Sequence, residues 1–359
     1  MSRLLFAIAY LLPVVHLAAL ELRGPWVWLP LAYVFGLIPL GDRLVGAARD
    51  DDAEADARPR ESRIHDLWLE LWAPMQLAVL AWTMVQVHTR PPVGYEWVGL
   101  GLSMGLVTGA GGINVAHELM HRSKLAHRGL GELLMTSVFY AHFCVEHVLG
   151  HHKNAATPQD PATSRRGEWV YAFWVRSIVQ SLPSAWRLEA RRVEKHGITW
   201  TLRDRRLRMA LSQLALAGGL LWFFGPAGFA FYAGQALFGV LLLETVDYIE
   251  HYGLLREELS PGRYERVQPH HSWNSSHVVS SAHLFQLPRH SDHHANASRP
   301  YHRLRTLPGE APLLPAGYPA MMLTALVPPL FFQRVDPLIG RLVDRAVDRA
   351  GETRAGRLG

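Results

Sequence analysis

Nine histidines fall in three short clusters and one further position: HELMH with His117 and His121, EHVLGHH with His147, His151 and His152, HSDHH with His290, His293 and His294, and DYIEHYG with His251. Spacings of three and four residues put side chains on one helix face about a turn apart, close enough for two imidazoles to share a metal ion. One ion cannot use nine imidazoles. Two six-coordinate ions offer about twelve positions, leaving about three for oxygen, water or substrate, and imidazole suits iron. Glu118, Glu146, Glu250, Asp247 and Asp292 lie close in sequence to these histidines, where they could accept the second ring N–H of a ligating imidazole and fix its tautomer. His142, Asn274, His277 and His283 are further candidates for that outer layer.

Other chemistries use fewer of these residues. HELMH matches the HExxH pattern of zinc peptidases, with Glu118 as general base, but that reading leaves His147, His151, His152, His251 and HSDHH idle. Glu118-x-x-His121 also matches the ExxH of carboxylate di-iron bundles, yet no second ExxH stands on a matching helix. A metal carrier would place its ligands mid-span, whereas these histidines follow the ends of apolar stretches. The remaining histidines, His16, His65, His88, His127, His196, His270, His271 and His302, read as surface or interfacial residues.

The elements that must hold the clusters are apolar and long. Hydrophobic residues make up 49% of the 359, with twelve Trp and thirteen Phe, and they come in blocks of the length needed to cross a bilayer. Six segments are expected to span: 4–22, 25–45, 67–88, 94–116, 208–224 and 227–246. The first could pass for a signal peptide, since Arg3 precedes an apolar run, but a second run follows after only ELRG, which suits a helical hairpin. The sequence predicts an all-α membrane protein, one domain over 1–359, with a histidine-rich cap built from 117–207 and 247–359.

Between Arg165 and Arg208 stand eleven Lys or Arg against four Asp or Glu, which by the positive-inside rule makes that face cytoplasmic, together with both termini. The net charge of +5 has no nucleic-acid-binding motif beside it. The stretch 48–66, ARDDDAEADARPRESRIHD, reads as a charged surface loop or linker with nothing to bury. The proline-broken 311–332 reads as a buried or interfacial cap rather than a seventh span, and the Asp/Arg-alternating tail as an amphipathic surface helix. A single cysteine, Cys144, excludes an intrachain disulfide and any cysteine-ligated iron centre built from this chain alone.

In the order HELMHR, HFCVEHVLGHHKNAATPQDPATS, LETVDYIEHYGL, HSWNSSHVV and PRHSDHHANASRPY, the sequence resembles the integral-membrane non-haem di-iron alkane 1-monooxygenases and the related xylene and alkylarene side-chain monooxygenases, over about residues 110–305. Fatty-acid desaturases share the three-box idea more distantly. The resemblance implies nine iron ligands, His117, His121, His147, His151, His152, His251, His290, His293 and His294, the same set that spacing selects. It implies two Fe, dioxygen, and a hydrocarbon hydroxylated at a terminal or benzylic methyl. A channel among the helices would hold that substrate, with Trp68, Trp72, Leu80 and Met84 as candidate lining residues.

Arg122, Gln159, Asp247 and Pro288 stand where the family often has Lys, Glu, Asn and Gln; none of these removes a ligand. The chain has no flavin or nicotinamide fingerprint, and the family's usual electron donor is a separate rubredoxin or ferredoxin-type reductase. Arg165, Arg166, Arg191, Arg192, Arg205 and Arg206 could steer an acidic carrier or bind anionic membrane lipid.

Overall fold

The computed structural model describes residues 4–48, 52–59, 62–198 and 201–355, with side chains to Leu342. Among the described residues, four stretches are long and apolar enough to cross a membrane: Leu5–Leu22, Gly24–Val45, Glu96–Met120 and Arg205–His251. The last has 47 residues, about 70 Å at 1.5 Å per residue, and it is broken at Gly225 (φ 66°, ψ −175°). Glycine tolerates that backbone and Pro226 restarts the helix, so the two segments expected at 208–224 and 227–246 meet there. The segment expected at 67–88 is helical over Arg63–Thr89. It carries Glu70, Gln76 and Gln86 and does not reach the apolarity of the other four.

Two helices cross at backbone contact. A Cβ on Gly109 would lie 2.8 Å from the Cα of Gly239, so Glu96–Met120 and Arg205–His251 pack as closely as small residues permit. That crossing fixes the relative positions of two helices whose ends carry His117 and His251. Both helix ends deliver their histidines to the same cap.

The cap is irregular. Short helices Phe143–Glu146, Val278–His283 and His290–Ala295 are joined by turns. The all-α expectation needs one correction, a two-stranded antiparallel hairpin of Glu258–Ser260 and Arg263–Tyr264 turning at Gly262. Tyr248, Tyr252, Trp273, Tyr318 and Phe331 form a buried aromatic core behind the cap. The 311–332 stretch contributes Tyr318 and Met321 to it through helix Tyr318–Ala325. The final helix, Pro328–Ala355, buries Phe331, Val335 and Ile339 at four-residue intervals and is amphipathic as far as its side chains are described.

Two expectations fail here for identifiable reasons. The 48–66 stretch is no idle loop: Asp52 accepts the backbone N–H groups of Thr306 and Leu307, and Asp56 pairs with Arg299, Arg303 and Arg305. It clasps the segment that follows the HSDHH helix. Among the histidines read as superficial, His16, His65, His127, His271 and His302 are buried. Each has polar partners: His16 meets Ser103 and Thr83, His65 meets Ser62, His127 meets Glu70, His271 meets Glu265 and Gln268, and His302 meets Pro59 O. A satisfied imidazole is tolerated inside.

Candidate metal centre

His117 and His121 lie one turn apart where Glu96–Met120 ends. His147 and His152 lie five residues apart, which in an α-helix would point them about 140° from each other. The chain from His147 to His151 is π-helical. Its wider turn brings i and i+5 to one side, and the two Nε2 atoms stand 3.0 Å apart. His151, between them in sequence, points elsewhere. His251 closes the long helix, and the helix His290–Ala295 supplies His290, His293 and His294.

The nine side chains form two groups, each with ligand-capable atoms within 4.8 Å of one another: His117, His121, His147, His152 and His293, and then His151, His251, His290 and His294. In the first, Nε2 of His147 lies 3.1 Å from that of His121, and Nε2 of His293 lies 3.1 Å from that of His152. In the second, the pairs His151–His294 and His290–His251 stand at 3.2 Å. The groups adjoin, with the rings of His152 and His294 stacked at 4.5 Å.

Such spacing fits cations. A metal–nitrogen bond of about 2.1 Å puts two ligand atoms at right angles about 3.0 Å apart, the separation found here. Hydrogen bonding alone cannot satisfy the cluster, since Nε2 of His147 faces two other Nε2 atoms and Nε2 of His117 is buried with no partner. Burial, then the neighbouring imidazoles, hold His147, His152, His290, His293 and His294 well below the ordinary histidine range. They are therefore neutral, with lone pairs free for a metal.

His151 differs. Burial opposes its charge, but Asp160 overcomes this by charge and by accepting from Nδ1 at 2.9 Å, so His151 is raised. Asp160, itself buried, is also held by Thr163 Oγ1 and Ala162 N. Arg176 secures that turn by donating to Pro161 O and Thr163 O while pairing with Glu168.

Asp160 performs the task expected of five other carboxylates, and those five are engaged differently. Glu118 pairs with Arg122 at 2.7 Å and accepts from Tyr301 N. Glu146, pushed up to about 7 mainly by burial, accepts from Ser184. Asp292 is taken up by Arg299 and Arg305. Glu250 accepts from Tyr318 O–H at 2.8 Å and turns its other oxygen to within 3.3 Å of His290 Nε2, on the side of that ring that faces His251. Asp247 faces the neighbouring cavity. Asn274 accepts from Ser291 N and donates to Thr306 O, holding the start of the HSDHH helix. His142 bonds to Ser181 and His277 to Ser275, while His283 lies on the cavity wall.

That cavity is lined by Ala9, Leu12, Ile38, Leu106 and Leu242 and by His117 and His290, one from each group. Of the four candidate lining residues, Trp72 lines it. Trp68 packs beside it, its carbonyl accepting from Tyr10, and Leu80 and Met84 are buried in helix packing. The helix Arg63–Thr89 turns one residue of that face toward the cavity. Tyr33 and His283, not anticipated as a pair, form a polar contact on its wall, Tyr33 O–H donating to Nε2 at 2.6 Å. Asp160, Tyr318, Arg176 and Tyr33 were also unanticipated; the compact run TPQDPATS was the one visible signal, for Asp160.

Comparison with known proteins agrees with this geometry. The fatty acid desaturase family model matches residues 95–325. An alkane 1-monooxygenase of Pseudomonas putida is 41% identical over 318 residues, covering 88% of this chain and 79% of its own. Alkane 1-monooxygenase 1 of Alcanivorax borkumensis is 39% identical over 328 residues, covering 90% and 81%. The hydroxylase component of a xylene/toluene monooxygenase of Pseudomonas putida is more distant, 28% identical over 334 residues, covering 90% and 86%. With histidines from four parts of the chain drawn into two adjoining groups, and with relatives of this similarity along most of its length, the chain belongs to the fatty acid desaturase family and, within it, to the alkane 1-monooxygenases.

Proposed function

We propose that this oxidoreductase hydroxylates the terminal methyl of medium-chain alkanes to primary alcohols, using dioxygen and electrons from a separate rubredoxin or ferredoxin-type partner. The observation that carries the reading is the apolar cavity ending on His117 and His290. A hydrocarbon lying in it has one end beside both histidine groups, and its walls keep water from that end. His117, His121, His147, His152 and His293 would hold one iron, and His151, His251, His290 and His294 the second. Bound there, the pair supplies reductive activation of dioxygen. Asp160 orients His151, and Glu250, steadied by Tyr318, sets a carboxyl oxygen beside His290 in the second group.

The proposed setting is a bacterial inner membrane crossed six times by a single domain, with the histidine-rich parts 117–207 and 247–359 on the cytoplasmic side. The excess of Lys and Arg between Arg165 and Arg208 supports that orientation. A side-chain methyl of an alkylarene is the second reading, supported by the xylene/toluene relative. The zinc-peptidase reading is weakened by the engagement of Glu118 with Arg122 and Tyr301 N, which leaves it no free role as a base.

A metal count on purified protein, followed by an oxygen- and reductant-dependent assay offering octane and xylene together, tests the proposal. Two irons per chain and 1-octanol are expected. Alcohol from xylene alone would move the substrate to alkylarenes, and one zinc with reductant-independent activity would overturn the class.

A further inference from the structure

Behind the histidines, on the outer side of Met120 and Val148, lies a second cleft of about 1030 Å³. Five arginines line it, Arg128, Arg192, Arg203, Arg205 and Arg208. Two are committed: Arg192 grips Glu189 at 2.7 and 2.5 Å, and Arg208 grips Glu132 at 2.6 Å through two nitrogens. Among the described residues no carboxylate pairs with the guanidinium of Arg128, Arg203 or Arg205, although Glu189 accepts from the backbone N–H of Arg205, and Nε of Arg128 is buried without a hydrogen-bond partner. The cleft thus holds three uncompensated guanidiniums.

Its floor is apolar. Met120, Val148 and Ile198 line it, and Leu125, Leu133 and Leu149, also in the lining, are 77%, 44% and 38% exposed. Its position is equally specific, because Glu96–Met120 ends there and Arg205–His251 begins there. It sits where two apolar helices leave the layer that would embed them. Arginine snorkels at such a boundary and takes a phosphate through two parallel N–H groups.

We infer that the cleft binds one anionic phospholipid, its phosphate between Arg128, Arg203 and Arg205 and the start of an acyl chain on Leu133 and Leu149. An acidic protein would answer the guanidiniums but leave the apolar floor uncovered. A free anion would do the same. Only an amphiphile matches both halves, and the bilayer supplies it at that depth.

The full-length protein in detergent is titrated with phosphatidylglycerol and with phosphatidylcholine of the same chains, and bound lipid is counted by native mass spectrometry. One phosphatidylglycerol is retained in preference to phosphatidylcholine, and R128Q/R205Q weakens it by about 25-fold while phosphatidylcholine binding is unchanged. If that double variant does not fold, Arg203→Gln at an exposed position gives a smaller loss in the same direction. Equal retention of the two lipids overturns the inference, as does wild-type phosphatidylglycerol binding in every folded variant. Displacement of the lipid by inorganic phosphate alone would make the cleft a simple anion site. Loss of binding to an acidic electron-carrier protein, with lipid binding intact, would make it a protein-docking surface.

Discussion

Nε2 of His147 and Nε2 of His152 meet at 3.0 Å although five residues separate them, because the backbone between them is π-helical. The same wide turn sends His151 to the other group. One short segment therefore serves both groups.

His251 stands outside the three dense clusters but is one of only four imidazoles in the second group. His251→Ala should lower iron toward one per chain and reduce octane hydroxylation by at least about a hundredfold. Elemental analysis and product chromatography on the same sample check this; full activity would remove His251 from the ligand set.

Asp160→Asn keeps the size of the side chain but removes the charge that orients His151. The expected result is iron affinity lower by about 10–100-fold, with helical content unchanged. Competition with a graded series of chelators measures it.

Arg176 and Glu168 hold the turn bearing Asp160, and both side chains are largely shielded. Burial would raise the Glu168 carboxyl, but Arg176 and the N–H of Arg165 win and lower it. A lowered carboxyl stabilises the fold above its unfolded value near 4.5, and that contribution is lost as pH falls through the lower folded value. Glu168→Gln should cost about 2 kcal/mol at neutral pH and flatten the acid limb of the stability curve. Tryptophan fluorescence during acid unfolding in detergent would reveal both effects.

A Cβ at Gly111 would lie 2.0 Å from Cζ2 of Trp72, on the cavity wall. Gly111→Ala must therefore displace the indole. The expected signature is an altered chain-length profile across a series of alkanes with iron content retained; an unchanged profile would place the reacting substrate elsewhere.

Removing metal should destabilise the protein, because the cation offsets the burial of nine neutral imidazoles whose ring nitrogens otherwise crowd one another. Chelated protein should melt several degrees lower than untreated protein, and ferrous ion added without oxygen should restore the transition.

Much of this architecture could be read from side-chain type and spacing. Histidines three or four apart, placed just past apolar stretches, foretold where they would gather, and prolines foretold the broken 311–332 stretch. What escaped depends on geometry that no local pattern encodes. The π turn gives no sign in EHVLGHH. Asp160 reaches His151 because of a turn held by Arg176, far from any helical repeat. The face of Arg63–Thr89 turned to the cavity depends on packing, which puts Trp72 on its wall and Leu80 and Met84 in helix contacts. The acidic stretch 48–66 looked unemployed because its partners, Arg305 and Thr306 among them, lie some 250 residues away.

Each histidine group takes members from the short helix His290–Ala295: His293 for the first, His290 and His294 for the second. A nascent chain halted before residue 290 would carry neither full set, however well its earlier helices had inserted. Assembly of the two groups is thereby deferred until His290–Ala295 has been made, after the long helices that carry His117 and His251 already exist to receive it.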